Sequence, residues 1–195
     1  FSYSSDYCRA QVQLTFSRDG MHWERAGDRE VFLPMSDCVD DLDWGRIYPF
    51  QRPLVVGDEI WIYYTADATD HDLRRPHDAE GQENGIALAT LRLDGFVSVD
   101  ARGEGMLTTK PFTFSGSKLV VNADAARGRL CVEIIDAAGS PAPGFGSGDC
   151  DGIESDAIHQ LVTWNGRAEL NSLEGKTVKL KFTLNQSRLF SFKFE

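Results

Sequence analysis

The chain has 195 residues, 42% of them hydrophobic and 26% charged, which is the composition of a folded globular protein and not of a disordered one. No apolar run approaches the ~20 residues that a membrane-crossing helix needs. The net charge of −10 is uneven: residues 1–100 hold 19 acidic side chains against 9 arginines and no lysine, whereas residues 101–195 balance at 11 and 11; an acidic half of this kind argues against nucleic acid and anionic membranes as partners and suits a neutral or cationic ligand.

Taken in chain order, the periodic segments have period two or are short apolar runs bounded by turn residues, so the fold class is all-β. Residues 11–16 alternate and predict a strand. Ser17-Arg18-Asp19-Gly20 follows as a turn, with Asp19 accepting backbone hydrogen bonds and Gly20 supplying positive φ. Trp23 opens the returning strand and is expected to be buried beneath that turn. Residues 47–56 are extended, but Pro49 and Pro53 favour an edge or irregular strand. Gly57-Asp58 turns into Ile60-Trp61-Ile62-Tyr63-Tyr64, a run of β-branched and aromatic residues. A polar loop over 66–84 holds His71, Arg74, Arg75 and His77. Residues 85–93 return, Asp94-Gly95 turns, and 96–99 predict a fourth strand of one antiparallel meander.

The texture changes after Gly103-Glu104-Gly105. Strand-like runs at 107–114, 118–123, 129–136, 159–164, 177–184 and 189–194 are separated by turn signals, among them Asn165-Gly166, and predict a β-sandwich. The expected domains are therefore residues 1–103 and 104–195. A loop over 137–156, rich in Gly, Pro and Asp, has the length of functional or mobile loops.

Three sets of residues could carry chemistry outside any catalytic motif. The cysteines Cys8, Cys38, Cys131 and Cys150 are too widely spaced for a zinc site. They read either as buried free thiols or, in a secreted protein, as pairs within each half, Cys8–Cys38 and Cys131–Cys150. Asp149, Asp151 and Asp156, set about a central Gly152, place oxygen ligands in the manner of a calcium loop, which must supply 6–8 oxygens; the other reading is an Asx-turn network that holds the long loop. His71 and His77 flank Arg74-Arg75 among aspartates, as a metal pair, a solvated loop or a lid over a pocket. No G-x-S-x-G context surrounds any serine, and no helix follows Gly144-Phe145-Gly146-Ser147-Gly148 to receive a phosphate.

The heptad Ser17-Arg18-Asp19-Gly20-Met21-His22-Trp23 resembles the S-x-D-G-x-x-W hairpin of glycosidase-type β-propellers, a shortened relative of the sialidase Asp-box. Its aspartate shapes a turn there and is not catalytic. Asp40-Asp41-Leu42-Asp43-Trp44-Gly45-Arg46-Ile47-Tyr48-Pro49, with the strand at 60–64, resembles the innermost and second strands of a blade in five-bladed fructan- and arabinan-type glycoside hydrolases. The resemblance implies that Asp43 faces a central funnel as a catalytic or sugar-binding carboxylate. It also implies that Trp44 and Tyr48 stack on a sugar and that Arg46 donates to it. Against this stands the reading of Asp40, Asp41 and Asp43 as a solvated acidic loop, with Trp44 in the core.

Glycosidic cleavage takes two carboxylates across the bond. The family's W-x-N-D-P-like nucleophile motif and its Glu-Cys acid motif are both absent from these residues, so catalysis by this chain alone is not expected. Five blades need about 250 residues at ~50 per blade. The resemblance therefore implies a partial propeller of about one and a half blades, an antiparallel meander, followed by a closing β-sandwich. It implies a secreted or periplasmic bacterial protein that recognises carbohydrate without a required cofactor. The missing blades would come from a second chain or a removed N-terminal part. Residues 1–4 do not read as a leader, but a mature secreted chain would have lost its own. The alternatives are a stand-alone carbohydrate-binding module, with Trp44, Tyr48 or Trp164 as stacking candidates, and a structural or assembly β-sandwich.

Overall fold

The computed structural model describes residues 8–76, 80 and 84–195, and these form strands, turns and loops with no helix. His77 and Asp78 lie outside the described residues, as does the N-terminal tetrapeptide. Several antiparallel sheets make up the fold, and none closes on itself. The chain divides into two compact units between Leu93 and Asp94, and one strand, Val99–Thr108, runs unbroken across residues 103 and 104.

In the first unit, β1 (Val12–Gln13) pairs with β4 (Val31–Leu33), and β2 (Thr15–Phe16) with β3 (Glu24–Arg25). The main sheet holds β5 (Arg46–Pro49), β6 (Leu54–Val56), β7 (Glu59–Asp67) and β8 (Asn84–Arg92). Each β7 residue from Glu59 to Asp67 has a partner in β8, so β5 and β6 share the opposite edge of β7. They are two pieces of one rank, interrupted around Pro53, which has no N–H to give the ladder. A two-residue turn with Gly57 at φ 59° joins β6 to β7, the glycine-first pattern of tight hairpins.

Alternation along β7 sorts its side chains. Ile60, Ile62, Tyr64 and Ala66 are buried, and a small core of Ile47, Tyr64 and Ala66 takes in Val12, Leu33, Met35, Leu42, Ala87 and Ala89. The opposite parity carries Tyr48, Leu54, Val56, Trp61, Tyr63, Ile86 and Leu88 as cross-strand neighbours. On that face Ile86 is 67% exposed and Leu54 50%.

Two expectations fail here. Residues 96–99 do not make a fourth rank: Asp94 has φ 55°, residues 93–96 are turn, and the chain enters β9 (Val99–Thr108), whose partner is the last strand of the second unit. Trp23 is 62% exposed and does not pack beneath its turn; its indole N–H donates to Gly20 O at 3.2 Å. The hairpin is pinned by that bond and by Asp19, so it needs no buried ring.

The second unit is organised on β13 (Lys179–Phe194), a single 16-residue strand where two were expected. Gln186 at φ 44° and a register shift between Asn185 and Ser187 form a bulge, which bends the strand without ending it. β9 follows one edge across the bulge. On the other edge β11 (Arg129–Ile135) pairs with residues 179–185, and β10 (Leu119–Asp124) with residues 188–194. β12 (Asp156–Leu161) adds to β10. Alternate residues of these strands, among them Val121, Leu130, Val132, Ile134, Leu180, Phe182 and Leu184, bury a large core with Trp164, Leu170 and Leu173.

The glycine-rich segment between β11 and β12 is an ordered strap. It pairs with β11 through Pro141 and Ile153, and the Leu130–Ile153 bridge closes in both directions at 2.9 and 2.8 Å. Its Phe145 ring meets Trp164 edge-on at 5.3 Å.

Candidate functional site

In the first unit, polar groups gather where β5 begins and β7 ends. Gly45 opens this corner. Its N–H donates to Asp67 O at 3.0 Å, and a Cβ there would lie 2.1 Å from Thr69 O, so the two backbones meet this closely only at glycine. The approach brings Arg46 opposite Asp67 in the ladder. Arg46 donates to Asp67 Oδ2 from Nε (3.1 Å) and Nη2 (2.6 Å), and from Nη1 to Asp70 O (3.1 Å). Asp67 Oδ1 accepts from the Thr69 amide at 2.9 Å and its hydroxyl at 2.6 Å. Burial works to raise the Asp67 pKa, but Thr69 and Arg46 outweigh it and hold the carboxyl below its ordinary value.

Asp70 is the hub of the following turn. Its residue is fully buried, yet its carboxylate accepts from the amides of Cys8 (3.0 Å), Asp72 (2.9 Å) and Arg74 (2.8 Å), and from Arg74 Nε (3.0 Å) and Nη2 (2.7 Å). Burial pushes its pKa up, and this set of donors pulls it down further, for a net lowering. The strap at 8–10 is clamped in turn: Ala10 bridges β5 beside Arg46, and His71 N donates to Cys8 O at 2.9 Å.

The sequence-expected residues divide among different surroundings. Arg46 and Tyr48 alternate onto the sheet face opposite the small core. Tyr48 is 44% exposed, with its hydroxyl 3.4 Å from His71 Nδ1. Arg46 is enclosed, with three of its N–H groups given to Asp67 and Asp70. Asp43 is half-buried and joins the core side, where the Tyr64 hydroxyl donates to its Oδ2 at 3.1 Å. Burial first, and then the Asp43 charge, raise the Tyr64 pKa, which keeps the phenol protonated as a donor. Trp44 is 5% exposed; the Arg9 guanidinium lies 5.1 Å over its ring and donates to Trp44 O at 2.7 Å. Trp164 is fully buried, and its indole N–H donates to Val132 O at 2.9 Å.

Asp19 serves its turn. Its Oδ1 accepts from the Met21 and His22 amides, both at 2.8 Å, and its Oδ2 lies 2.6 Å from His22 Nδ1. The His22 backbone bond is the foremost of several contacts that hold its carboxyl far below the usual range.

Asp149 and Asp151 grip the hairpin turn at Asn165-Gly166, where φ is 50° and 73°. Asp149 accepts from Gly146 N and Asn165 Nδ2, each at 3.1 Å, and Asp151 accepts from Gly166 N at 2.9 Å. Hydrogen bonds from Thr163 and Gly166 lower the Asp151 pKa. Asp156 stands apart at the start of β12, paired across the ladder with Asp124. Among the described residues, no three His, Cys, Asp or Glu side chains gather as a metal site.

Sequence reasoning passed over Asp67 and took Asp70 only as one of the aspartates around His71 and His77. A signal for the first was present: aspartate two residues before threonine is an Asx-turn pattern. The Cys8 amide, a partner of the second, is 62 residues away and had no local signal. In chemical terms the corner offers an exposed phenol beside an imidazole, braced by two internally neutralised carboxylates. That arrangement suits stacking and hydrogen bonding to a neutral ligand. The chain matches no protein-family model, no curated protein and no solved structure.

Proposed function

We propose that this chain is a carbohydrate-recognising part of a glycoside-hydrolase-like propeller protein, with a blade in the first unit and a closing β-sandwich in the second. The observation that carries the reading is the Tyr48–His71 pair, an aromatic face with hydrogen-bonding groups at its edge. Sugars are bound in this way, by C–H groups against a ring and hydroxyls to polar neighbours. The Arg46–Asp67 and Asp70–Arg74 clamps support it, because a preorganised platform loses little entropy when a flexible glycan lands. Asp43 lies on the core side of the sheet, bonded to Tyr64, and is not assigned to a sugar held on the Tyr48 face. Cleavage requires carboxylates from elsewhere, so this chain is read as binding and not as catalytic alone. Export to the periplasm or the cell exterior belongs to the same proposal.

Assembly is the second reading, favoured by one observation: the sheet face bearing Leu54, Val56, Ile86 and Leu88 is open. Further blades would cover it in a propeller. An array of plant, algal and microbial polysaccharides probed with the whole chain tests the first reading. Binding to a defined glycan that is lost in Tyr48→Ala supports it, and no binding to any glycan leaves assembly as the better account.

A further inference from the structure

We propose that Cys131 and Cys150 are a disulfide-forming pair that locks the strap of residues 137–153 onto β11. The strap is hydrogen-bonded to β11 by backbone at both ends: Ala142 N to Ile134 O (2.7 Å) and Ile134 N to Phe145 O (3.0 Å) at one, Leu130 with Ile153 at the other. Between them the ladder has a gap. The Val132 amide, in the buried middle of β11, finds no strap carbonyl and donates to Cys150 Sγ at 3.3 Å. That amide nitrogen is about 2.4 Å from Cys131 Cα by standard peptide geometry, so Cys150 Sγ lies within about 6 Å of that Cα. A rotation of the Cys131 side chain can then bring the sulfurs to bonding distance.

The surroundings distinguish the two thiols. Cys150 is 7% exposed and belongs to the core cluster, against which Cys131 packs from a half-buried position. Burial raises the Cys150 pKa, and its further causes include a hydrogen bond and charge interaction with Cys131, as expected of neighbouring sulfurs. Arg129 Nε donates to Cys131 Sγ at 3.3 Å, while its other nitrogens hold the strap at Asp151 O (2.6 Å) and Glu154 Oε1 (2.5 Å). A Cβ on Gly152 would come within 2.4 Å of Arg129 Nε, so glycine lets the guanidinium lie flat on the strap beside the cysteines. Cys8 has different surroundings: burial first, and then hydrogen bonding and charge from Asp72, raise its thiol pKa.

The chemistry is thiol–disulfide exchange with a low-molecular-weight disulfide, RSSR. Cys131, the more accessible sulfur, attacks as thiolate, breaks the S–S bond and releases one RS⁻, leaving a mixed disulfide on Cys131. Cys150 gives up its proton and attacks the Cys131 sulfur, releasing the second RS⁻. Two protein thiols are oxidised by two electrons, RSSR is reduced to two RSH, and the two protons leave with the products. The closed loop, 131–150, excludes many unfolded conformations and so favours the folded strap.

Oxidised glutathione is the probe. The reduced whole chain is equilibrated with it, quenched in acid, labelled with N-ethylmaleimide under denaturing conditions and digested with trypsin. Both cysteines fall in one tryptic peptide, residues 130–167. The expected product is that peptide two hydrogens lighter than its reduced form, without maleimide, while the protein's melting temperature rises by about 10 °C and returns on reduction. Cys150→Ser should instead retain one glutathione on Cys131. Two maleimides on the wild-type peptide, or one glutathione and one maleimide, would overturn the pairing whether or not the variant folds. An unchanged melting temperature in the disulfide form would overturn the lock.

Discussion

Replacing Asp70 by asparagine removes a charge and turns one acceptor oxygen into a donor, in a side chain with no exposed surface. Oδ1 takes the amides of Asp72 and Arg74, and an asparagine oxygen can keep both. Oδ2 takes the Cys8 amide and the Arg74 guanidinium, and those donors would then face an NH₂ group. Arg74 is 48% exposed and can return to water, so its share of the loss is small. The Cys8 amide loses its charged acceptor, and losing a hydrogen bond of that kind costs about 1.5–3 kcal/mol. With the weakening of the two retained bonds, the total expected is about 2–4 kcal/mol at pH 7.

The sign of the pH dependence follows from the lowered folded-state pKa. A depressed carboxyl stabilises the fold above the unfolded value near ~4, and that stability is lost as pH falls through the folded value. The gap between wild type and Asp70→Asn should therefore narrow progressively below about pH 4. Urea unfolding at pH 7 and in the acid range measures it, with hydrogen exchange over residues 68–76 as the local probe. A cost below about 0.5 kcal/mol at neutral pH, or an undiminished gap in acid, would refute the reasoning.

Other outcomes follow from the same geometry. Gly45→Ala should cost about 2–3 kcal/mol by forcing β5 away from Thr69, read in the same urea experiment. Phe182→Ala, at the centre of the larger core, should cost about 3–5 kcal/mol and broaden the near-ultraviolet circular dichroism of its aromatic neighbours. Asp43→Asn should leave the fold intact, because the Tyr64 hydroxyl can still donate to an amide oxygen, and should leave glycan binding on the Tyr48 face unchanged in calorimetry.

The parts of this fold that were legible in the sequence are those fixed by local chemistry. Asn165-Gly166 had to turn because both residues adopt positive φ without strain, and the β-branched and aromatic run at 60–64 marked β7 as a strand. Non-local pairing was not legible. Asn185-Gln186-Ser187 reads as a break between strands, and only a partner that crosses the interruption, β9, makes it a bulge. The run at 96–99 has strand composition, but Asp94 turns the chain away and leaves Phe96 and Val97 exposed. At the site, period-two reasoning is sufficient to put Arg46 and Tyr48 on one face. Trp44 and Arg46 were beyond such reasoning in one respect: their polar faces are taken by Arg9, Asp67 and Asp70, from segments 21 to 35 residues away.

Carbohydrate recognition is tested most directly by titrating the whole chain with the strongest glycan from the array, wild type against Tyr48→Ala, in a calorimeter. The account predicts saturable binding by wild type and at least a tenfold loss in the variant, equivalent to about 1.4 kcal/mol, with unfolding midpoints unchanged. Equal affinity of the two proteins would contradict it.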